Sequence, residues 1–316
     1  MLGIWLYLVS VATMGGIYAI VVLGLNLQWG LTGLFNAGVA GFIGVGAYVT
    51  AILTTGESAS HVGGYDLPYP LNILAVVVLA GIIAWGVGKL CLNLKGDYLA
   101  IATIGVAEVI RSVSRTETWA TNGPRGIAEI PRPFEAFGGA TSTLCFLALV
   151  LVVLLLIYLG LERLNNSPWG RVMRGIRDDD VAASASGKDV ATFRTQAFVL
   201  GSIIIAIGGV LLAQYVKFVD PNYFDPFTGT FLVWVMLIAG GSGNNKGAIL
   251  GAFLIWILWS VSELLTSQLP GDWAIRAAYL RIFIVGLTLQ IMLQTRPEGI
   301  IPERKRRTTK KQQKLT

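Results

Sequence analysis

The chain has 316 residues, of which 54% are hydrophobic and 13% charged, whereas about 25% of residues are charged in an ordinary soluble domain. With a mean hydropathy of +0.67, this composition excludes an ordinary soluble domain and predicts a membrane protein. The net charge is +6, but the basic residues are grouped by loop and do not alternate with stacking aromatic residues, which argues against nucleic-acid binding. Because the chain has one histidine and two cysteines, no zinc-type or Cys/His catalytic site can be built from it, and we expect no catalytic residue, no metal site and no cofactor.

The apolar segments predict an all-α, polytopic membrane protein with about nine transmembrane helices. A bilayer core about 30 Å thick requires about 20 mostly apolar residues per helix. The first segment has no basic region before it and no small-residue cleavage site after it, so we expect it to be retained as a span. The predicted spans are 4–26, 33–54, 71–92, 98–114, 143–162, 194–217, 229–241, 246–267 and 278–295, of which the fourth and seventh are barely long enough to cross.

The basic residues predict the orientation, because cytoplasmic loops carry an excess of Lys and Arg. With the long loop 164–193 inside, 17 of the 24 basic residues lie on the cytoplasmic side. Nine spans then place the N-terminus outside and the C-terminus inside. We therefore divide the chain into a membrane domain, residues 1–295, and a basic cytoplasmic tail, residues 296–316, which we expect to be disordered and to lie against anionic lipid or a cytoplasmic partner.

Two predicted spans contain glycines at the spacing of helix contacts. Small residues four apart let two helix backbones approach closely in a membrane. Glycine-interrupted helices can also surround a substrate path, so both helix packing and a role at the path remain open for these positions, which are Gly38, Gly41, Gly44, Gly247 and Gly251.

The fourth predicted span places an acid and a base one helical turn apart, Glu108 and Arg111. A charged side chain at the depth of the hydrocarbon costs on the order of 3 kcal/mol unless it has a partner or water. An ion pair three residues apart provides such a partner. The pair is either structural or part of the translocation path and its outer mouth.

A glycine-rich stretch, "AGGSGNNKGAILGA", has the wrong spacing for a nucleotide site. In a phosphate-binding loop a Gly-Lys pair is followed by Ser or Thr, whereas Lys246 stands between Asn245 and Gly247. We predict a tight turn between two helices.

The longest inner loop contains the charged stretch "RGIRDDDVAASASGKDV". Ser167 and Pro168 are typical of a helix start. Apolar residues from Arg171 to Ala185 recur with loosely helical spacing, and Gly187 is a plausible stop. We therefore predict one short amphipathic helix that returns to the membrane near Phe193.

Several motifs in the same order carry a resemblance. The motifs are, in chain order, "LTGLFNAGVAGFIGVGAY", "KGDYLAIATIGVAEVIR", "TNGPRGI", "SPWGRVMRGIRDDDVAASASGKDV" and "LIAGGSGNNKGAILGA". Together they resemble the permease subunit of bacterial ABC importers for branched-chain amino acids, the LivM type. The similarity runs from residue 20 to about 295. It implies a multi-pass protein of the bacterial inner membrane with a periplasmic N-terminus and a cytoplasmic C-terminus.

The resemblance also implies partners and a function. The partners are a related LivH-like permease subunit, two ATP-binding subunits that hydrolyse the ATP, a periplasmic solute-binding protein and membrane lipid. Substrate would pass between the two permease subunits, and residues 164–193 would form a coupling loop that docks on the ATPase. The loops 116–140 and 215–229 are candidates for contact with the binding protein.

The coupling motif is carried over residue by residue. Its Ala-Ala and Gly positions fall on Ala182, Ala183 and Gly187, while its acid shifts from Val181 to Asp180. The neighbouring charges would fix register and partner choice, and these are Arg174, Arg177, Asp178, Asp179 and Asp180. A further departure is Val39, where many relatives have histidine.

Two alternatives remain open at the sequence level. One is a member of the same family that imports urea, amides or other amino acids. The other is an ion-coupled secondary transporter or channel, which usually carries paired acids inside its spans. Only Glu108 and, near a helix end, Glu263 fit that pattern, which weakens this second alternative.

Overall fold

The computed structural model describes residues 2–58, 60–92, 94, 96–266 and 272–303. They form twelve helices: α1 (Leu2–Asn26), α2 (Val39–Thr54), α3 (Tyr69–Cys91), α4 (Asp97–Thr116), α5 (Thr118–Thr121), α6 (Gly139–Asn166), α7 (Pro168–Asp178), α8 (Asp180–Ala185), α9 (Val190–Val216), α10 (Leu232–Gly240), α11 (Asn245–Thr266) and α12 (Asp272–Thr295). Short π-helical turns follow α1 (Leu27–Leu31) and precede α10 (Phe227–Phe231). Two strands, β1 (Ile127–Ala128) and β2 (Phe218–Val219), pair antiparallel.

The helical class is confirmed, and the number of spans is confirmed only in part. Five helices of the described chain are long and apolar enough to cross a bilayer, and three further apolar helices are shorter. The five begin at Gly3, Tyr69, Gly139, Val190 and Asn245. The helix at the fourth predicted span, α4, is not among these eight, because four charged residues lie within its 20 positions. About nine spans therefore stays a prediction.

The second predicted span begins later than its apolar pattern indicates. Residues 27–31 form a π-helical turn, residues 33–38 have no regular structure, and α2 begins at Val39. The apolar character of residues 33–38 is continuous with α2, so the pattern alone does not mark this break. The first and second helices are consequently joined by an irregular segment in which Leu34, Asn36 and Gly38 are buried, and a membrane protein tolerates irregular backbone where it is buried in protein.

The core is built around α1 and α9. Helix α1 packs against α6, α9 and α11, and α9 packs against α2 and α3. Most residues in the spans of α1 and α9 are buried, whereas most residues in those of α3, α6 and α11 are not. Exposed apolar side chains of this kind are expected where helices face lipid or another apolar subunit, and examples are Leu74, Ile82, Ile101, Leu156 and Phe283.

The two ends of the bundle differ. The end that we call the sheet end carries the β1–β2 pair, with Ile127 opposite Val219, and an ion pair between Lys217 and Glu135. The hydrogen bond from Lys217 lowers the pKa of the Glu135 carboxyl. The opposite end, which we call the loop end, carries α7 and α8.

The charged loop forms two helices instead of the one predicted. Helix α7 starts as predicted, because the Ser167 side chain accepts a hydrogen bond from the Gly170 amide. Asp179 interrupts the run with an extended backbone, and its carboxylate accepts hydrogen bonds of 3.0 Å from the amides of Val181 and Ala182. Asp179 thereby caps α8, since a carboxylate satisfies the free amides of a helix N-terminus. Gly187 has φ +77 just after α8.

A short segment after α12, residues 297–303, lies against the loop end of α10. We call it the C-terminal strap. The amides of Ile300 and Ile301 donate to the carbonyls of Ala239 and Gly240, both at 3.0 Å. The expectation of a disordered tail stays a prediction for residues 304–316, which lie outside the described residues.

Candidate translocation cavity and its link to the charged loop

A cavity of about 620 Å³ lies between α2, α4, α10 and α12. Its volume falls within the usual range for small-molecule sites, roughly 300–1,000 Å³. The lining is mainly apolar and reaches from the sheet end to the loop end of the bundle. Representative lining residues are Ile104, Phe224, Phe231 and Leu289, with Ser242 and Pro297 at the loop end.

The predicted pair Glu108 and Arg111 lines this cavity towards the sheet end. Arg111 Nη1 lies 3.2 Å from Glu108 Oε1. Arg111 Nε donates a hydrogen bond of 3.1 Å to the carbonyl of Pro221 in the loop after β2. The side chains are 48% exposed for Glu108 and 23% exposed for Arg111. The pair is therefore both an ion pair within α4 and a part of the cavity wall.

The glycines at the start of α2 and within it pack closely against neighbouring segments, Gly38 and Gly41 against α4. A Cβ added to Gly38 would lie 2.3 Å from the Thr103 carbonyl oxygen, and one added to Gly41 would lie 2.9 Å from Ala107 Cα. Gly44 is less constrained, since its added Cβ would meet the Phe224 ring at an ordinary 3.5 Å. Gly41 and Gly44 also line the cavity.

The other predicted glycines hold α11 against α10, away from the cavity. A Cβ added to Gly247 would lie 2.6 Å from the Gly240 carbonyl oxygen, and one added to Gly251 would lie 2.0 Å from that of Met236. Neither residue lines the cavity.

Three aromatic rings line the cavity near the π-helical turn after α1. The ring centroid of Trp234 lies 5.4 Å from that of Trp29 and 4.5 Å from that of Phe35, and the Trp29 and Phe35 centroids are 5.3 Å apart. Trp234 Nε1 donates a hydrogen bond of 3.1 Å to the Asn36 carbonyl. This aromatic cluster links α10 to the irregular segment before α2.

Buried amide side chains hold the same irregular segment in place. Asn36 Nδ2 donates to Gln28 Oε1 at 2.8 Å, and Gln28 Nε2 donates to the Phe198 carbonyl at 2.9 Å and to Ser202 Oγ at 3.1 Å. Buried polar groups need such partners, because an unpaired one costs free energy. We did not predict this network, although polar residues inside apolar spans are a signal for it.

A second amide pair ties the end of α1 to the glycine-rich turn. Asn26 Nδ2 donates to Asn245 Oδ1 at 2.9 Å, and Asn26 Oδ1 accepts from the Gly243 amide at 2.8 Å. Asn245 in turn donates to Glu162 Oε1 at 3.1 Å. The predicted tight turn is thus hydrogen-bonded to α1 and α6.

Among the predicted coupling residues, Arg177 reaches furthest into the protein. Its Nη1 donates to the carbonyl of Gly30 in the π-helical turn and lies 3.0 Å from Glu303 Oε2 in the C-terminal strap. Its Nη2 donates to Glu303 Oε1 at 3.3 Å, and its Nε lies 3.4 Å from Asp178 Oδ1. Arg177 therefore joins α7, the strap and the segment that carries the cavity residue Trp29.

The remaining coupling residues organise the loop itself. Arg174 Nη1 donates to the Asn165 carbonyl at 3.0 Å, and Asp180 pairs with Arg194 of α9 at 3.1 Å. Ala182 and Gly187 are exposed, whereas Ala183 is partly buried. Before α9, the Thr192 hydroxyl donates to Asp189 and lowers the pKa of that carboxyl.

These features define a polytopic helical membrane protein with an apolar cavity and a charged loop in contact with the π-helical turn that carries the cavity residue Trp29. The model of the family "Branched-chain amino acid transport system / permease component" matches residues 7–293. The chain belongs to this family.

Similarity to named proteins supports the assignment to this family. The chain is 30% identical to the high-affinity branched-chain amino acid transport system permease protein LivM of Salmonella typhimurium, over 93% of this chain and 70% of the relative. It is 28% identical to the probable permease protein LivM of Methanocaldococcus jannaschii, over 92% and 91%. It is 24% identical to the permease protein LivH of Salmonella typhimurium, over 90% and 94%. No solved structure is significantly similar.

Proposed function

We propose that the protein is a permease subunit of an ABC importer and forms half of a translocation path for branched-chain or other hydrophobic amino acids. The observation that carries this proposal is the contact of Arg177 with the Gly30 carbonyl. It connects the charged loop to the residue next to Trp29, which lines the apolar cavity, and a transporter driven by separate subunits requires such a connection. The substrate class comes from the names of the relatives and agrees with the mainly apolar lining.

The proposed ATPase site is the loop end. The chain carries no phosphate-binding loop of the required spacing, so the energy must enter through an interface with separate subunits. Helix α8 exposes Val181 and Ala182, while Arg174, Arg177 and Asp178 border a polar cleft of about 930 Å³ beside α7. Small shifts at such an interface can be amplified into a two-state movement of packed helices.

The proposed orientation places the loop end in the cytoplasm and the N-terminus in the periplasm of a bacterial inner membrane. The excess of basic residues in the loops of that end supports it. About nine spans follow if α4 crosses the bilayer with Glu108 and Arg111 turned to the cavity and not to lipid. The solute-binding protein would then contact the sheet end.

The proposed second permease subunit would cover part of the exposed apolar surface. Relatives of both types, LivM and LivH, align with almost the whole chain, which supports a pair of related subunits with similar folds. Helices α4 and α12 line the cavity and also carry exposed apolar residues, of which Val109 and Phe283 are examples. A path between two subunits would bring such surfaces together.

Transport by the reconstituted assembly tests the proposal. The chain is expressed with a LivH-like permease, two ATPase subunits and a solute-binding protein, and uptake of leucine, urea and a polar amino acid is measured with and without ATP. We expect ATP-dependent uptake of leucine. Uptake of urea or a polar amino acid in its place would contradict the substrate class, and full uptake without ATP would contradict the whole proposal.

The docking surface is tested by one bulky substitution at the exposed surface of α8. Ala182→Trp is expected to reduce the amount of ATPase that purifies with the permease severalfold, because a large side chain prevents close contact at this position. The control is Ser58→Trp, on an exposed loop at the sheet end. If Ala182→Trp retains as much ATPase as this control, the docking surface lies elsewhere.

A further inference from the structure

We infer that Glu108 and Arg111 form a binding site for the zwitterionic head group of an amino acid inside the cavity. Arg111 binds the α-carboxylate, Glu108 binds the α-ammonium group, and the apolar side chain of the substrate lies along the cavity wall. The inference rests on the proposed function and deepens it, because it assigns substrate recognition to the permease itself.

The geometry of the pair leaves room for a ligand. Only one oxygen and one nitrogen make the ion pair, Glu108 Oε1 and Arg111 Nη1, at 3.2 Å. Arg111 Nε is held by the Pro221 carbonyl, which fixes the plane of the guanidinium group. Glu108 Oε2 and Arg111 Nη2 are not used by these contacts, so each charged group retains an atom that can bind a ligand.

The charges of the pair match a zwitterion. The cavity wall brings together one carboxylate and one guanidinium group among mainly apolar side chains. An amino acid carries one ammonium and one carboxylate group on the same carbon, so it satisfies both and leaves no net charge in the cavity. A substrate that carries only one of the two charges leaves a net charge in the cavity, which is costly in an apolar surrounding.

The location distinguishes this pair from other ion pairs of the described chain. The pairs Arg194–Asp180, Lys217–Glu135 and Arg281–Glu263 do not line the cavity. If Glu108 and Arg111 only stabilised α4, the pair could equally well lie on an exposed surface of the helix. There an ion pair three residues apart contributes little to the stability of the helix. An ionisable pair that faces a cavity at the depth of the spans indicates a functional site.

The apolar part of the site lies within reach of the pair. Ala107, Ile104 and Phe224 line the same cavity, and Ala107 and Ile104 are on the same helix as Glu108. The cavity continues beyond them to the aromatic cluster, so an apolar substrate side chain of variable length can be accommodated. This arrangement favours weak binding of several hydrophobic amino acids, as a translocation path requires.

The test measures ligand preference in charge variants of the assembled membrane complex, from which the soluble binding protein is left out because it has its own selectivity. Binding of radiolabelled leucine is competed with three ligands: leucine, leucinamide, which lacks the carboxylate, and 4-methylpentanoate, which lacks the ammonium group. For the unsubstituted protein, leucine should compete at least tenfold better than either analogue.

The variants should shift this preference in opposite directions. Glu108→Gln should weaken leucine binding at least tenfold and favour 4-methylpentanoate relative to leucinamide, whereas Arg111→Gln should favour leucinamide. Glu263→Gln is the control, because it removes the acid of an ion pair outside the cavity, and it should leave the preference unchanged. A purely structural role cannot produce opposite shifts.

Three results would overturn the inference. They are unchanged preference in both variants, loss of the second permease subunit from both variants on size-exclusion chromatography, and no leucine binding by the unsubstituted complex at millimolar concentration. ATP-dependent leucine uptake with the binding protein present would then leave the proposed function standing, so the failures of the two proposals are distinguishable.

Discussion

Gly41 sets the distance between α2 and α4 on one side of the cavity. A Cβ at this position would lie 2.9 Å from Ala107 Cα and 3.1 Å from Ala107 Cβ, and both contacts involve atoms that cannot rotate away. The two helices can therefore approach closely only because residue 41 has no side chain. The same contact places Ala107, and with it Glu108, at the cavity wall.

At the residue scale, Gly41→Ala is expected to destabilise the protein by about 1–3 kcal/mol, the usual cost of an added methyl group in a well-packed interior. Thermal unfolding in detergent measures the effect as a lower midpoint. Gly105→Ala on α4 is the matched control, because an added Cβ there meets no atom within 4 Å and alanine favours a helix. Equal midpoints for the two variants would show that α2 and α4 do not pack as described.

At the element scale, Arg177 connects α7 to the π-helical turn beside the cavity. Arg177 contacts the Gly30 carbonyl and Glu303 of the strap, and Trp29 of the same π-helical turn belongs to the aromatic cluster. A movement of α7 would therefore act on the turn and on the strap together. The strap in turn is hydrogen-bonded to α10, which carries Trp234.

Replacing Arg177 should uncouple ATP hydrolysis from transport. Arg177→Ala removes the hydrogen bond to the turn and the ion pair with the strap but leaves the exposed surface of α8 intact. We expect the ATPase subunits to remain bound while leucine uptake per ATP hydrolysed falls severalfold. Arg171→Ala, an exposed residue on the same helix, should behave as the unsubstituted protein does. Normal coupling in Arg177→Ala would mean that the movement passes through another contact.

The sequence predicted those elements whose signals are local. Ser167 and Pro168 start α7 because a side-chain cap acts within three residues, and Gly187 follows α8 as expected. The break at Asp179 was missed, since the helical spacing of the apolar residues continues across it. From the sequence, Asp179 was predicted to be one of the charges that contact the ATPase, whereas in the structure its carboxylate caps α8.

Contacts between distant segments were not predictable from one sequence. Asn26 and Asn245 are 219 positions apart, and Arg177 and Gly30 are 147 apart. The π-helical turn depends on such contacts, because Gln28 within it is held by α9 and by Asn36. For Glu108 and Arg111, spacing alone predicted the pair, but only the fold shows that a cavity lies beside it.

At the scale of the whole molecule, the two ends of the bundle have different roles in the proposed transport function. The sheet end holds the loop with Pro221 and Phe224, which borders the cavity beside Arg111. The loop end holds α7, α8 and the strap. The cavity connects these ends, so its accessibility should depend both on substrate and on the state of the ATPase.

The central claim, that this cavity carries the substrate, is tested most directly by thiol labelling in the assembled transporter. Cysteine is placed at Ile104, which lines the cavity, or at Ile101 on the same helix, which does not; Cys91 and Cys145 are first replaced by alanine. A charged thiol reagent should modify Ile104→Cys faster than Ile101→Cys, leucine should slow only the former, and ATP should change its rate. Equal rates at the two positions, unaffected by leucine, would contradict the claim.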